Sequence, residues 1–108
     1  MAGRVERGEI RTVKFPRPDK SRPVLVLTRS SAIDYLSTVT VAPITSTRRG
    51  VPSEVQLGIE DGMKQGCSVN LHNVVTVAQN RLGKRLASLN DRRMDEVCAA
   101  LAFALGCD

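Results

Sequence analysis

The stretch DKSRPVLVLTRS, residues 19–30, places a cluster of charged residues directly against an unbroken apolar run. Residues 24–27 are all apolar, with no polar residue between them. Four consecutive apolar residues of this kind predict a strand that is buried on both faces, and they do not fit an amphipathic helix. Because Arg22 comes just before this strand, it is either a loop charge in solvent or a charge held rigidly at the edge of a site.

Further strands are predicted where β-branched residues alternate with polar ones between breaks rich in glycine and proline. They span 8–15, 37–45, 54–59, 67–77 and 84–89, separated by the basic loops 16–23 and 46–53 and by the turn 60–66. Apolar residues at helical spacing from Met94 to Leu105 predict a C-terminal helix, which Asn90 would cap and Gly106 would end. The sequence therefore predicts one domain, residues 1–108, that is mainly β: a small, partly open antiparallel barrel with a C-terminal α-helix.

The composition narrows the class of partner. The 108 residues carry 16 Lys and Arg against 11 Asp and Glu, a net charge of +5. Such a basic domain suits a polyanion or an acidic protein, although basicity can also serve solubility alone. The apolar stretches are too short to span a membrane, which predicts a protein without membrane contact. The three cysteines fit no zinc-binding pattern, so we expect a cytoplasmic protein with reduced thiols and without metal or cofactor.

Aromatic residues are scarce, since the chain has no Trp, one Tyr and two Phe. This nearly excludes RNA binding by stacking platforms, so any RNA must be held by Arg and Lys together with backbone and polar groups. The cations that cluster in the two basic loops are Arg17, Lys20, Arg22, Arg48 and Arg49. If both loops lie at one end of the barrel they form a basic groove; the alternative is a solvated face without a ligand.

Catalysis has few candidate residues. His72 is the only histidine, which excludes a ribonuclease mechanism with two histidines in one chain. Cys67 and His72 would lie on opposite faces of the predicted strand 67–77, so they do not form a nucleophile pair. Arg22 can instead grip a phosphate with its fork of donors, and Thr45 can donate to the same phosphoryl oxygen. Such a pair suits attack of an RNA 2′-hydroxyl on its own phosphate, which needs positioning more than an enzyme nucleophile.

The segments RGEI, RPVLVLT, VAPITS and MDEVCAALAFAL, in this order along nearly the whole chain, resemble the MazF/PemK (Kid) toxin family. The resemblance implies an SH3-like barrel of the CcdB/Kid/MazF type that forms a homodimer. It also implies the toxin of a type II toxin–antitoxin system, a sequence-specific endoribonuclease that needs neither metal nor ribosome. Cleavage would leave a 2′,3′-cyclic phosphate and a 5′-hydroxyl and would inhibit translation, and an acidic antitoxin would cover the RNA groove.

Residue by residue, the resemblance assigns catalysis to Arg22 and Thr45, with Ser46 as an adjacent hydroxyl. Thr47 is another adjacent hydroxyl and is grouped with the basic loops as RNA-binding. The chain departs from the Kid pattern of Arg-x-Asp, because Asn70 and His72 stand at those positions; both are expected to line the site. Two alternatives stay open on the same fold: a toxin that poisons gyrase without enzymatic activity, and an RNA- or protein-binding barrel without catalysis.

Overall fold

The computed structural model describes residues 4–15 and 21–108. The strands are β1 (Glu9–Lys14), β2 (Ser21–Val26), β3 (Thr38–Thr45), β4 (Glu54–Leu57), β5 (Cys67–Asn70), β6 (Val75–Ala78) and β7 (Leu82–Ser88). The helices are α1 (Ser30–Ile33) and α2 (Asp91–Leu105), and short 3₁₀ turns span Ile59–Asp61, Leu71–Asn73 and Gln79–Arg81. None of the helices within residues 4–15 and 21–108 has the length and hydropathy needed to cross a bilayer.

The strands form one antiparallel sheet in the order β4-β5-β3-β2-β1-β7, and β6 pairs with β3 beside this path. β3 carries the curvature, because its residues 38–41 pair with β6 whereas Ile44 and Thr45 pair with β5. Pro43, which lacks a backbone N–H, lies between these two halves, where it does not interrupt either ladder. The predicted fold, a partly open antiparallel barrel followed by a C-terminal helix, is confirmed.

β2 is buried on both faces, as its apolar run predicts. Val24, Leu25 and Val26 have no solvent exposure. Leu25 joins the larger core cluster, which includes Val97 of α2, whereas its two neighbours join a second cluster on the other face of the strand. Burial of each such side chain contributes about 1.5–3 kcal/mol to folding, so β2 is a rigid strand that fixes the position of a residue at its end.

Two predictions about strand limits that bear on the site are corrected. β2 begins at Ser21, so Arg22 lies on the strand, opposite Val13 of β1, and not in the preceding loop. The predicted strand 67–77 is two strands, because a 3₁₀ turn at Leu71–Asn73 interrupts it. The physical cause is the Asn70 side chain, whose Oδ1 accepts the His72 N–H at 3.1 Å and thereby competes with the strand pattern.

α2 confirms the predicted C-terminal helix. Asn90 caps it, since its Oδ1 accepts the Arg93 N–H at 2.9 Å. Gly106 ends it in the left-handed conformation, with φ +74°. Val97 and Ala100 lie on its buried face and belong to the larger core cluster. The helix therefore closes one side of the curved sheet.

A buried ion pair ties β1 to its surroundings. Arg11 and Glu9 are both buried, and the Arg11 Nε donates to Glu9 Oε1 at 3.0 Å. Arg11 also donates to the carbonyl oxygens of Gly83 and Arg4, at 3.0 and 3.1 Å. Because each of these groups would be costly to bury alone, the network holds β1 to β7 and to the segment that precedes β1.

Candidate active site

A cleft of about 470 Å³ opens where β2 begins and β3 ends. Arg22 and Thr45 both line it, each two residues beyond the pair Val24 and Pro43 in the ladder between these strands. The structure therefore brings together the two residues that sequence reasoning favoured for catalysis. The residues lining the cleft are Arg22, Pro23, Ile44, Thr45, Ser46, Gly62, Met63, Lys64, Gln65, Cys67 and Leu86.

Local hydrogen bonds fix the Thr45 side chain. Its Oγ1 accepts the backbone N–H of Thr47 at 3.1 Å. On the other side of β3, Thr45 pairs with Ser68 of β5. Since a hydroxyl has one hydrogen to donate and two lone pairs, this arrangement leaves the Thr45 hydrogen available to a group in the cleft. Ser46 follows directly and contributes a second hydroxyl-bearing residue to the lining.

One wall of the cleft is the segment 62–65, which the sequence pattern predicts as part of a turn. It adds Met63, Lys64 and Gln65 to the lining. Gly62 starts the segment with φ +90°, a conformation that favours glycine. The cluster of turn formers in EDGMKQG indicated a tight loop, but only the folded sheet reveals that this loop faces Arg22.

An ion pair anchors that wall to α2. Arg93 donates from Nε to Asp61 Oδ1 at 2.9 Å and from Nη2 to Asp61 Oδ2 at 3.0 Å. The Gly58 N–H also donates to Asp61 Oδ2, at 3.0 Å. Burial opposes ionisation of this carboxyl, but the hydrogen bonds from Arg93 and Gly58 outweigh it and lower the pKa of Asp61. At neutral pH the ionised carboxylate of Asp61 therefore holds this wall against α2.

Cys67 lies in the lining and is itself buried. Burial is the main cause that raises the pKa of the Cys67 thiol; the negative charge of Asp61 adds to it, whereas Arg48 opposes it. A thiol with a raised pKa is a weak nucleophile at neutral pH. This environment suits a packing role for Cys67 in the cleft wall.

The second basic loop has one arginine beside the cleft. A Cβ built on Gly66 would lie 3.2 Å from an Nη atom of Arg48, so the guanidinium of Arg48 covers the chain next to Cys67. The backbone N–H groups of Arg49 and Gly50, the next two residues, donate to Glu54 Oε1 at 2.9 and 3.0 Å. The loop is thereby held by β4. Arg17 and Lys20, the predicted cations of the first loop, lie outside the described residues.

Asn70 ends β5 and His72 lies in the 3₁₀ turn that follows, at the opposite end of the strand from Cys67 in the cleft wall. Asn70 is buried and caps the 3₁₀ turn, and His72 is exposed with its Nδ1 2.6 Å from Ser53 Oγ. The structure thus does not bring these two residues together with Arg22 and Thr45. Asn70 lies at the end of β5 remote from the cleft, and the break in the predicted strand 67–77 places His72 in a 3₁₀ turn instead of on a strand.

The comparison with protein families identifies the chain. A model of the PemK-like, MazF-like toxins of type II toxin–antitoxin systems matches residues 6–105. The chain belongs to this family. It is 36% identical over 104 residues to the probable endoribonuclease MazF2 of Mycobacterium tuberculosis H37Rv, covering 95% of this chain and 100% of that protein. It is also 44% identical over 87 residues to the probable endoribonuclease MazF5 of the same strain, covering 80% of each.

Solved structures of PemK-like, MazF-like toxins share the fold described above. Mycobacterium tuberculosis toxin MazF-mt6 superposes with a TM-score of 0.84 at 34% identity, covering 93% of this chain and 98% of that one. A mycobacterial endoribonuclease in complex with its cognate antitoxin superposes with a TM-score of 0.85 at 26% identity, covering 96% and 97%. The family resemblance read from the sequence is therefore confirmed, and the two residues to which it assigns catalysis line one cleft.

Proposed function

We propose that this chain is the toxin of a type II toxin–antitoxin system and that it cleaves single-stranded RNA in the cleft between β2 and β3. The observation that carries the proposal is the placement of Arg22 and Thr45 on the lining of one cleft, at the ends of two adjacent strands. Membership in a family whose relatives include endoribonucleases supports the choice of RNA as substrate.

The reaction is transfer of a phosphoryl group within the RNA. The 2′-oxygen of a nucleotide forms a bond to the adjacent phosphorus, and the bond from phosphorus to the 5′-oxygen of the next nucleotide breaks. The 2′-hydroxyl loses its proton and the leaving 5′-oxygen gains one, which gives a 2′,3′-cyclic phosphate and a 5′-hydroxyl. The chain supplies no atom to the products, so its contribution is to position the phosphate and to stabilise its charge.

Arg22 and Thr45 have complementary roles in this reaction. The guanidinium of Arg22 donates two hydrogen bonds to the non-bridging phosphoryl oxygens, where negative charge increases in the transition state. The hydroxyl of Thr45 donates a further hydrogen bond to the same group. Both residues lie on β-strands whose neighbouring apolar side chains are buried. This burial gives the fixed geometry that electrostatic stabilisation requires.

RNA is held on either side of the reacting phosphate by the polar residues of the cleft. Lys64 lies on one wall and Arg48 lies beside Gly66, so both can contact neighbouring phosphates. Ser46, Thr47 and Arg49 extend this surface along the second basic loop, and Arg17 and Lys20 are proposed to extend it along the first. The chain acts in the cytoplasm as a homodimer, and an acidic segment of a cognate antitoxin covers the same basic surface.

The test is incubation of the purified protein with a long RNA of known sequence in EDTA, followed by mapping of the ends. We expect cuts at a defined sequence with 5′-hydroxyl ends. Arg22→Ala and Thr45→Ala should each lower the cleavage rate by about 100-fold or more while leaving the circular dichroism spectrum unchanged. Arg29→Ala is the matched control, since Arg29 is exposed and follows the opposite end of β2.

Two results would contradict the proposal. The first is the absence of cuts in several RNAs by folded protein, which would favour a toxin that acts by protein contact; capture of DNA gyrase would then support that function. The second is cleavage at the wild-type rate by folded Arg22→Ala and Thr45→Ala variants, which would move the active site elsewhere.

A further inference from the structure

A buried serine lies opposite Thr45 on the neighbouring strand. Ser68 of β5 has no solvent exposure and pairs with Thr45 in the register of β3 and β5. Its hydroxyl donates to the carbonyl oxygen of Thr47 at 3.0 Å. A hydroxyl is costly to bury unless it is hydrogen-bonded, and an alanine would fill almost the same volume. What distinguishes serine from alanine at this position is therefore the bond to Thr47.

Thr47 is held on both sides by this arrangement. Its carbonyl oxygen accepts the Ser68 hydroxyl, and its N–H donates to Thr45 Oγ1 at 3.1 Å. The two bonds form a short chain that begins at the fully buried Ser68 and ends at the hydroxyl of Thr45 in the cleft. Since Thr47 itself is exposed and belongs to a loop, the bond from β5 is what fixes its backbone next to Thr45.

We propose that Ser68 is a positioning residue that sets the orientation of the Thr45 hydroxyl through the backbone of Thr47. The proposal rests on the proposed function, because it concerns the group that donates to the phosphate. With the Thr47 N–H occupying a lone pair of Oγ1, the hydroxyl keeps one rotamer and directs its hydrogen into the cleft. Without the bond from Ser68, the loop backbone gains freedom and the hydroxyl samples other rotamers.

A positioning role differs in its kinetics from a purely structural one. If Ser68 acts through Thr45, its removal lowers the rate of the chemical step and leaves RNA affinity nearly unchanged. It should also cost nothing further once Thr45 has lost its hydroxyl, because two groups that act in series show a strong coupling. If Ser68 only stabilises the sheet, its removal lowers the melting temperature and has the same effect on cleavage whether or not Thr45 is intact.

The experiment measures single-turnover cleavage and affinity for a 2′-deoxy oligonucleotide in a double-mutant cycle of Ser68→Ala and Thr45→Ala. We expect Ser68→Ala to cleave about tenfold more slowly with affinity changed less than threefold, and to have no further effect in the Thr45→Ala background. Ser68→Cys, which keeps a weak donor, should recover part of the rate. Ser30→Ala is the control, since it also removes a serine side chain bonded to backbone, at Arg7 N and remote from the cleft.

A second readout does not depend on activity. Hydrogen exchange followed by NMR should show that the Thr47 amide exchanges faster in Ser68→Ala than in wild type, whereas the Leu71 amide, bonded to the Ser53 carbonyl, is unchanged. The proposal is overturned if folded Ser68→Ala cleaves within twofold of wild type, if its effect persists undiminished in Thr45→Ala, or if both Ser68 variants unfold. Failure of the proposed function is distinguishable, because then Thr45→Ala itself would leave cleavage unchanged.

Discussion

At the scale of single residues, we expect the shape of the Arg22 side chain, and not only its charge, to determine the cleavage rate. Arg22 lies on β2 opposite Val13, on a strand whose next residues are fully buried, and its guanidinium is a planar fork. Arg22→Lys keeps the charge but replaces the fork by a single ammonium. We expect cleavage to slow by roughly 10- to 100-fold while affinity for a 2′-deoxy oligonucleotide changes less than threefold.

Single-turnover kinetics and a binding titration check this prediction. Arg48→Lys is the matched control, because Arg48 lies beside the cleft wall without belonging to its lining. It should cleave at nearly the wild-type rate. Wild-type cleavage by Arg22→Lys would show that a positive charge alone suffices at this position and would exclude the bidentate role.

The three cysteines differ in their surroundings, and this difference is measurable. Cys67 is buried in the cleft wall and burial raises the pKa of its thiol, whereas Cys98 and Cys107 are exposed. Because the thiolate is the reactive form, a disulfide reagent at pH 8 should react with two thiols quickly and with the third at least tenfold more slowly. Unfolded protein should show three equal thiols. Three equally fast thiols in folded protein would contradict the burial of Cys67.

The sequence predicted some of the site residues because their positions follow from strand ends. Arg22 and Thr45 lie at the ends of predicted strands. Their convergence was predicted from the chemistry of phosphoryl transfer and from the family resemblance, because periodicity does not fix which strands pair. Lys64 and Gln65 were not, since a turn rich in glycine does not indicate which surface it covers. Asn70 and His72 were expected in the site because they stand at the Arg-x-Asp positions of the Kid pattern. The turn that the Asn70 side chain makes at residue 71 leaves no signal in the sequence around it.

At the scale of elements, one ion pair joins the cleft wall to the terminal helix. Asp61 precedes the lining segment 62–65, and Arg93 lies in the first turns of α2. Asp61→Asn keeps the shape of the side chain and removes its charge. We expect the free energy of unfolding at pH 7 to fall by about 2 kcal/mol, the range of hydrogen bonds to charged groups.

The same pair gives a pH dependence of defined sign. The pKa of Asp61 is lower in the folded protein than in the unfolded chain, so the unfolded state binds more protons as the pH falls. Its stabilisation is fully present above the unfolded pKa, about 3.9, and is lost as the pH falls through the folded pKa. Urea unfolding at several pH values should therefore show wild type and Asp61→Asn converging in acid. The exposed Asp95→Asn is the control; identical stability of all three proteins at pH 7 would disprove the contribution.

Elements with strong local signals were predicted well. α2 combines apolar spacing with a capping Asn90 and a terminating Gly106, each of which acts within one turn of the helix. α1 was missed because it is only four residues long, too short for a periodic pattern. β7 begins at Leu82, two residues before the predicted start at 84, since the buried Leu82 pairs with Val13 across the sheet. Such tertiary pairing is invisible in the residues of one segment.

At the scale of the whole molecule, the fold follows from how a single sheet buries both of its faces. Leu25 belongs to the core cluster that includes residues of α2 on one face, and Val24 and Val26 belong to a second cluster on the other. The sequence indicated this double burial and the closing helix. The strand order with β3 shared between β5 and β6 requires long-range pairing, and that pairing creates the cleft by bringing β5 beside the end of β3.

The net charge of +5 should appear in RNA binding as a dependence on salt. Arg22, Lys64 and Arg48 are the cations that the described residues place at or beside the cleft. Each phosphate contact with a single strand contributes about 0.7 to the slope of log affinity against log salt concentration. A 2′-deoxy oligonucleotide should thus bind with a slope near −2 or steeper.

Arg48→Gln should reduce the magnitude of that slope by about 0.7 and weaken binding to all sequences alike, because a phosphate contact carries no sequence information. Arg29→Gln removes the same charge beyond the opposite end of β2 and should leave the slope unchanged. Fluorescence anisotropy measures the affinity of both variants for the oligonucleotide between roughly 50 and 300 mM salt, where the salt dependence of binding is large. Equal slopes for the two variants would mean that overall charge, and not the cleft, attracts RNA.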